Sequence, residues 1–415
     1  MNILVVSQYF WPENFRINEL AVALAVRGHK VTVLSGIPNY PDGRVFQTYL
    51  ENPSTFACLE GVEIVRVPLL PRGRGTLHLL LNYLSFVASA CVIGAWRLRG
   101  RSFDVILTFG VSPITVSIPS ALMRCLKGAP QALWVLDLWP ESLRAVGVVR
   151  SPRLLSMVGF GVGWIYRRCD LILAQSLSFI ANISHYASER VRIEYFPAWT
   201  DEIFGQGLPV EPAVEIPSAP GVFTVLFAGN VGEAQDFPAI LDAASLLRSH
   251  DDIRWVIVGD GRMAEWVRKE IRSRGLEDRV LMVGRHPLER MPAFFACADA
   301  LLASLRADPI FALTIPGKIQ SYLGAGLPLL VMLDGEGAQI VAAAQAGLVC
   351  AAGDSAALAA HVVNLARMDP SERRRMGEHG RRLSAEAFDR RTLINRLEGW
   401  LEELAARRRT PGAHP

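Results

Sequence analysis

Short apolar runs along this chain alternate with longer segments whose apolar residues recur every three to four positions, the signature of parallel strands joined by helices. The first forty residues predict one βαβ unit. It has a strand at 3–7 (ILVVS), a helix after residue 15 with Ile17, Leu20, Ala21 and Leu24 on one face, and a strand at 31–36 (VTVLSG). Further strands are predicted at 104–110, 131–137 and 170–176, with helices near 114–127, 152–167 and 178–187. Residues 205–221, GQGLPVEPAVEIPSAPG, are rich in Pro and Gly and carry no period, so they read as a linker. Beyond them a second series begins, with strands at 223–230, 253–261, 279–284, 300–305 and 328–333 and helices at 237–249, 263–274 and 288–297. The fold class is therefore α/β, with two Rossmann-like doubly wound domains. They take residues 1–204 and 222–385, and a helix at about 386–408 can pack back on the first. Such an arrangement leaves a cleft between the domains as the expected substrate site.

Candidate chemistry falls at the carboxyl ends of the strands, where α/β sheets bind ligands. After the first strand, QYFWPENFR places Asn14 and Arg16 where a phosphate or sugar hydroxyl could meet them, although a helix cap and a surface Arg explain them equally well. After the 131–137 strand, VLDLWPESLRAVG offers Asp137, Trp139, Pro140, Glu141 and Ser142. Asp137 and Glu141 are the candidates for acid/base work, with an N-cap as the competing role. The stretch 305–331 holds a helix that opens with Pro316, Gly317 and Lys318. Pro suits the first helical position, and the free N–H groups, the helix dipole and the ammonium converge on one small volume suited to an anion.

Residues 76–99 form the most hydrophobic run of the chain, flanked by Arg72, Arg74, Arg97, Arg99 and Arg101. Three readings fit it: a helix lying in the interface of an anionic membrane, a covered core helix, or a transmembrane span. A span would put the strands before and after it on opposite sides of a bilayer. Composition narrows the function further. With 43 Lys and Arg against 40 Asp and Glu the net charge is only +3, too small for a nucleic-acid binder, and no basic stripe alternates with aromatics. The six cysteines, Cys58, Cys91, Cys125, Cys169, Cys297 and Cys350, lie far apart in apolar settings. They read as small buried hydrophobes in a reducing compartment. Residues 1–8 read as a strand and lack the basic start and cleavage site of a signal peptide, so a location in the cytosol or on the cytosolic face of a membrane is expected.

Several motifs together resemble the retaining glycosyltransferases of family 4. In the second half these are FAGNVG, VIVGDG, MVGRHP, ADALLASL, IPGKIQSYLGAGLPLL, DGEGAQIVAAAQAGLV and MGEHGRRLSAEAF; in the first half they are MNILVVSQYFWPENFRINELA, RGHKVTVLSGIPNYP and DLWPES. The first half particularly resembles the WbuB-type L-fucosaminyltransferases of bacterial O-antigen and capsule assembly. The resemblance implies a GT-B fold, a UDP-sugar donor held by the second domain, no metal and no other cofactor. It also implies a lipid-linked, polyprenyl diphosphate saccharide acceptor at the first domain, with the protein peripheral on the cytoplasmic face of the inner membrane. Carried over by position, donor contacts fall on Gly229, Asn230, Gln235, Arg285, Phe311, Leu313, Lys318 and Ser321. This chain departs from the family in two respects. Asn230 and Gln235 stand where it often has Arg and Lys, and its E-x7-E carboxylates fall on Leu313 and Ser321. Lys318, with Arg285 or Arg306, would carry more of the anion binding. A sugar-nucleotide epimerase of the same fold, or a non-catalytic scaffold of a polysaccharide assembly complex, are the alternative functions.

Overall fold

In this computed structural model the described residues are 1–41, 43–73, 75–145, 147, 149, 151–204 and 210–409. The chain forms two units, Met1–Pro197 with the chain from Arg391 onward, and Ala198–Arg390. In the first, β1 (Asn2–Val6), β2 (Lys30–Gly36), β3 (Cys58–Leu59), β4 (Val62–Val67), β5 (Val105–Gly110), β6 (Gln131–Val135), β7 (Leu171–Ala174) and β8 (Arg192–Tyr195) form one sheet. Its order is β3-β4-β2-β1-β5-β6-β7-β8, and every pair is parallel except β3 with β4. The central strands are apolar on both faces and almost fully buried, because helices cover the sheet on either side. The second sheet comprises β9 (Phe223–Ala228), β10 (Ile253–Val258), β11 (Val280–Gly284), β12 (Ala300–Ser304), β13 (Leu329–Met332) and β14 (Gly347–Cys350). Its order is β11-β10-β9-β12-β13-β14, and its pairs are parallel.

Two boundaries differ from expectation. Residues 205–209 of the expected linker lie outside the described residues. The rest of that segment is laid onto the second unit, where Ala213 and Ile216 enter the core and the Ala213 N–H donates to Ala293 O at 3.0 Å. Two apolar side chains three residues apart are enough to bind a segment that composition marks as loose. The C-terminal helix Arg390–Arg409 enters the first unit from Arg391 on. Leu393, Leu397 and Leu401 are buried, Trp400 meets Phe196 edge-on at 6.2 Å, and Glu398 receives Arg27 at 2.6 Å.

The hydrophobic run forms the helix Thr76–Ser89, a π-helical turn at Ala90–Gly94, and a last turn at Ala95–Arg97. Among the described residues, Leu77–Arg97 is the one stretch long and apolar enough to cross a membrane. Its inner face belongs to the domain. Phe86 and Ala90 sit in the core, and buried Asn82 accepts from Gln8 Nε2 at 2.7 Å and donates to Leu70 O at 2.6 Å. Its outer face, with Leu77, Leu80, Leu84, Val92 and Trp96, is exposed, so it is not a covered core helix. The arginines do not form the free basic collar expected of them. Arg97 donates to Arg66 O at 2.7 Å, Arg101 pairs with Glu63 at 2.6 Å, Arg99 lies over the Trp96 ring at 4.2 Å and Arg72 over Tyr40 at 5.3 Å. Arg74 lies outside the described residues. The cysteines also depart from expectation: all are free, Cys169 and Cys350 are buried, but Cys58 and Cys125 are exposed because they sit on an edge strand and near a helix end.

Two buried polar contacts fix the edges of the sheets. In the second unit Tyr322, on the helix Gly317–Ala325, donates its hydroxyl to Ala228 O at 3.0 Å and accepts from Ala228 N at 2.9 Å, tying that helix to the end of β9. In the first unit buried Glu13 accepts the N–H groups of Phe10 at 3.0 Å, Asn39 at 2.8 Å and Tyr40 at 2.7 Å, so one carboxylate gathers the loops after β1 and β2. Burial pushes Glu13 up from 4.5 to about 6 despite these donors and nearby Arg66.

Tyr322→Phe should lower the stability of the second unit by about 1–3 kcal/mol, since it strands a buried N–H at Ala228; equal denaturation midpoints for variant and wild type would refute this. For Glu13 the folded carboxyl keeps its proton to a higher pH than the unfolded one, so stability should fall as pH rises from 4.5 to about 6. The size follows from the shift, about 2 kcal/mol. Denaturation of wild type and Glu13→Gln at the two ends of that window should show the drop in the wild type and a correspondingly flatter profile in the variant.

Candidate active site

Each sheet reverses its direction of winding once. In the first sheet the order steps to one side through β1, β2 and β4 and to the other through β5 to β8; in the second, β9 to β11 and β12 to β14 do the same. The crevice outside the carboxyl ends at such a reversal is where open α/β sheets hold ligands. The two reversals are flanked by the loops after β1 and β5, and by those after β9 and β12.

At the second reversal Gly229 follows β9 with φ of 140°, and the side chain of Lys318 lies directly against its α-carbon. A Cβ at Gly229 would stand 2.6 Å from Lys318 Cε and 3.2 Å from Nζ. The ammonium sits 4.4 Å over the Phe227 ring, and burial pulls its pKa down to about 8. Among the described residues no carboxylate pairs with it. The Asn230 side chain lies between Gly232 and Gly261, and a Cβ at Gly261 would stand 2.4 Å from the Val231 carbonyl oxygen. The Gln235 carbonyl accepts from Ser304 Oγ at 2.7 Å, while its own amide oxygen is buried with no donor among the described residues. Arg306 completes the group: its N–H donates to Ala234 O at 2.8 Å and its guanidinium lies 5.9 Å from the Phe311 ring. An ammonium, a guanidinium, a glycine loop and a helix N-terminus thus border one edge of the sheet, an arrangement that can hold an anion.

Several expected donor residues are placed otherwise. Pro316 is the N-cap, with extended backbone at ψ 137°, and Gly317 opens the helix; Pro cannot both cap in that conformation and be its first turn. Ser321 turns its hydroxyl to the Asp201 carboxylate at 3.0 Å and to Gly317 O at 3.2 Å. Leu313 is a half-buried C-cap of the short helix Pro309–Ala312. Arg285 is exposed after the edge strand β11, away from the reversal. Sequence reasoning missed Gly259, whose α-carbon lies against the Gly229 carbonyl and leaves no space for a Cβ, and Glu336, buried at the start of the helix Glu336–Ala343. The glycine pattern VGDG was the available sign of the first, and the motif DGEGAQ of the second.

At the first reversal Asp137 accepts from Ser112 Oγ and Ser142 Oγ, and Trp139 Nε1 donates to Ser112 Oγ at 2.9 Å. Ser112 lies in the loop after β5 and Ser142 in the helix Glu141–Ala145, and both meet Asp137 through side chains rather than backbone N–H groups, so Asp137 is no N-cap. Tyr83 lies close enough to Asp137, Arg72 and Tyr40 to feel their charges, and burial raises its pKa. Tyr9 stacks on Phe15 at 5.3 Å and tilts against Tyr40 at 5.4 Å, which gives the edge an aromatic floor. Glu141 does not join Asp137. Its carboxylate turns to Asn182 Nδ2 at 3.0 Å and the Tyr186 hydroxyl at 3.4 Å. Asn14 is exposed, and Arg16 opens the helix Arg16–Val26 with Glu19 at 3.8 Å. Among the described residues His29, Glu398 and Glu402 have metal-ligand spacing, but His29 precedes β2 at the opposite edge of the sheet and Arg27 already holds Glu398.

Comparison with known proteins agrees with this architecture. Residues 14–199 match the family described as glycosyl transferase 4-like domain, and residues 222–368 match glycosyl transferases group 1. The chain is 27% identical over 284 residues to "Probable glycosyltransferase WbjE" of Pseudomonas aeruginosa, covering 66% of this chain and 68% of the relative. It is 24% identical over 344 residues to WcaI of Escherichia coli K12, whose name assigns it to colanic acid biosynthesis, covering 79% and 82%. Among solved structures, sucrose-phosphate synthase of Thermosynechococcus elongatus superposes with a TM-score of 0.74 at 16% identity, over 98% of this chain and 99% of that one. The Anabaena protein HepE in complex with UDP and glucose does so with 0.66 at 16%, over 97% and 99%. The fold is GT-B, and with two glycosyltransferase domain families matched over residues 14–199 and 222–368, together most of its length, the chain belongs to the glycosyltransferases.

Proposed function

We propose that the chain transfers a sugar, with retention and without a metal, from a UDP-sugar to a lipid-linked saccharide in bacterial surface polysaccharide assembly. The carrying observation is Lys318, an ammonium with no carboxylate partner among the described residues, lying against Gly229 where the second sheet reverses. Departure of UDP demands stabilisation of two negative phosphates, and a cation beside a helix N-terminus supplies it. Arg306 adds a second charge where Asn230 and Gln235 have none. Further support comes from the relatives, one of which is named for colanic acid biosynthesis, and from the UDP in a structure of the same fold. N-acetyl-L-fucosamine is the donor sugar that the WbuB-type resemblance favours. Asp137 is the residue of the first unit that orients the acceptor or moves its proton. The exposed apolar face of Thr76–Ser89 suits a protein peripheral on the cytoplasmic face of the inner membrane, where a polyprenyl diphosphate acceptor is presented. An epimerase of this fold would interconvert two UDP-sugars and release no UDP, whereas this reading requires release of UDP that depends on acceptor.

Lys318→Ala should weaken UDP binding by about 1.5–3 kcal/mol, or roughly tenfold to over a hundredfold, by titration calorimetry. Because the free ammonium loses its proton near pH 8, wild-type affinity should also fall as pH rises through that value, and Lys318→Arg should remove the dependence. Affinity indifferent to both substitution and pH would sink the assignment. For Asp137→Asn, turnover should drop by about a hundredfold with UDP affinity unchanged, within the range for general acid–base groups; near-normal turnover would leave Asp137 as a strut between loops.

A further inference from the structure

The edge that carries Asp137 holds a second charge that the proposed reaction has not yet used. Arg72 stands on the segment between β4 and the helix Thr76–Ser89, and its N–H donates to Oδ1 of buried Asn39 at 3.0 Å. Asn39 is itself tied to that helix, because Asn82 Nδ2 reaches the same Oδ1 at 3.5 Å while donating to Leu70 O at 2.6 Å. The backbone of Arg72 is thereby fixed. Its side chain is half-buried, with the guanidinium over the Tyr40 ring at 5.3 Å. Tyr9 and Tyr83 lie near enough to feel its charge. No hydrogen bond or ion pair reaches the guanidinium from any described residue.

The neighbouring carboxylates are already engaged. Glu13 gathers three backbone N–H groups and lies beside Arg66, and Asp137 takes the hydroxyls of Ser112 and Ser142. A guanidinium has five N–H donors, and one held partly out of water over an aromatic ring gains when a negatively charged acceptor arrives. The rings show where that acceptor would lie. Tyr40 tilts against Tyr9 at 5.4 Å and Phe15 at 5.2 Å, and Phe15 meets Phe109 edge-on at 6.3 Å, three residues before the Ser112 that holds Asp137. Tyr83 closes the circle, since Arg72, Tyr40 and Asp137 all act on it. Cation and carboxylate therefore border one aromatic floor, and no ion pair joins them. A ligand that fits brings a hydroxyl for one end and an anion for the other. Just beyond Arg72, Leu77, Leu80, Leu81 and Leu84 are exposed at spacings that put them on one side of the helix, so an apolar tail on that anion also finds a partner.

We infer that Arg72 is a specificity-determining residue for the acceptor, its guanidinium taking the diphosphate that joins the acceptor sugar to the polyprenyl chain while Asp137 serves the hydroxyl. The planar fork of a guanidinium matches phosphate oxygens in pairs. A neutral glycoside of the same sugar leaves the cation without a partner, so Arg72 selects against acceptors that have lost their diphosphate. The inference rests on the lipid-linked acceptor proposed above.

The test is titration calorimetry of the full chain with geranyl diphosphate, a soluble short-chain probe, with UDP in saturating excess so that the anion site at Lys318 is filled. Arg72→Gln should weaken binding of the probe about tenfold or more, the worth of a hydrogen bond between charged groups, and Arg72→Lys, which keeps the charge, should lose less. UDP affinity should stay at the wild-type value in both variants. Equal affinity of wild type and Arg72→Gln for the probe overturns the role of Arg72 and leaves the acceptor reading standing; no binding to wild type overturns both. Glycerophosphoglycerol, the headgroup of an anionic phospholipid, should bind at least tenfold more weakly than the probe. Equal binding that also depends on Arg72 makes the residue a contact for the membrane surface and overturns its acceptor role. If wild type does not bind UDP, the donor reading fails by itself, and the same comparison made on Lys318→Ala, with and without Arg72→Gln, decides Arg72.

Discussion

Gly229 and Gly259 meet at the carboxyl edge of the second sheet with less room than a methyl group needs, and the rest of that edge follows from their approach. Because Gly229 has no side chain, Lys318 can run against its α-carbon and hold its charge over Phe227. The helix that carries Lys318 cannot drift away, since Tyr322, four residues on, is bonded to both backbone groups of Ala228. Four residues is one helical turn, so the same face that buries the tyrosine presents the lysine. Desolvation then weakens the ammonium's hold on its proton, which leaves a cation that gains most when an anion arrives.

The first unit solves a related problem with polar side chains. Its loops after β1 and β2 carry backbone N–H groups that no strand satisfies, and the Glu13 carboxylate collects three of them. Arg66, buried beside it, donates to Gly36 O at 2.8 Å and to Trp11 O, closing the loop from the other side. Gln8 and Asn82 extend the web into the hydrophobic helix, so the segment with the exposed apolar face is hydrogen-bonded to the end of β1. A shift of that helix would be felt at the loop where Tyr9 and Tyr40 stack, because packed polar networks move as units.

Periodicity revealed the two sheets because central parallel strands are apolar on both faces and their helices are amphipathic. It passed over β4, where Glu63 and Arg66 interrupt the apolar run, and β8, an edge strand whose residues are all half-buried. It also passed over β14, which opens on glycine. The site was readable where backbone chemistry leaves a mark, as in the glycines after β9 and the Pro-Gly-Lys start. It was unreadable where long-range pairing decides: no local pattern sends Glu141 to Asn182 and Tyr186 while Asp137 goes to two serines. The pairing of the arginines beside the hydrophobic helix was unreadable for the same reason: spacing does not send Arg97 to a carbonyl or Arg101 to a carboxylate.

The non-acidic Ser321 illustrates how position in sequence and position in space can part. A hydroxyl stands where the family resemblance implies a carboxylate, yet that hydroxyl is bonded to Asp201, contributed by a stretch 120 residues earlier in the chain. Asp201 lies just before the turn Glu202–Phe204, which Phe204 fixes by stacking on Phe295 at 5.2 Å. Thr200, its neighbour, is tied to the same helix through Gln320 O at 3.0 Å and to Phe388 O through its own N–H at 3.0 Å. The carboxylate is therefore held by two anchors on its own strand of chain and by Ser321 across from it. A negative charge is kept one hydrogen bond from the helix surface, about one turn beyond Lys318, although the residue at that place in the sequence has none.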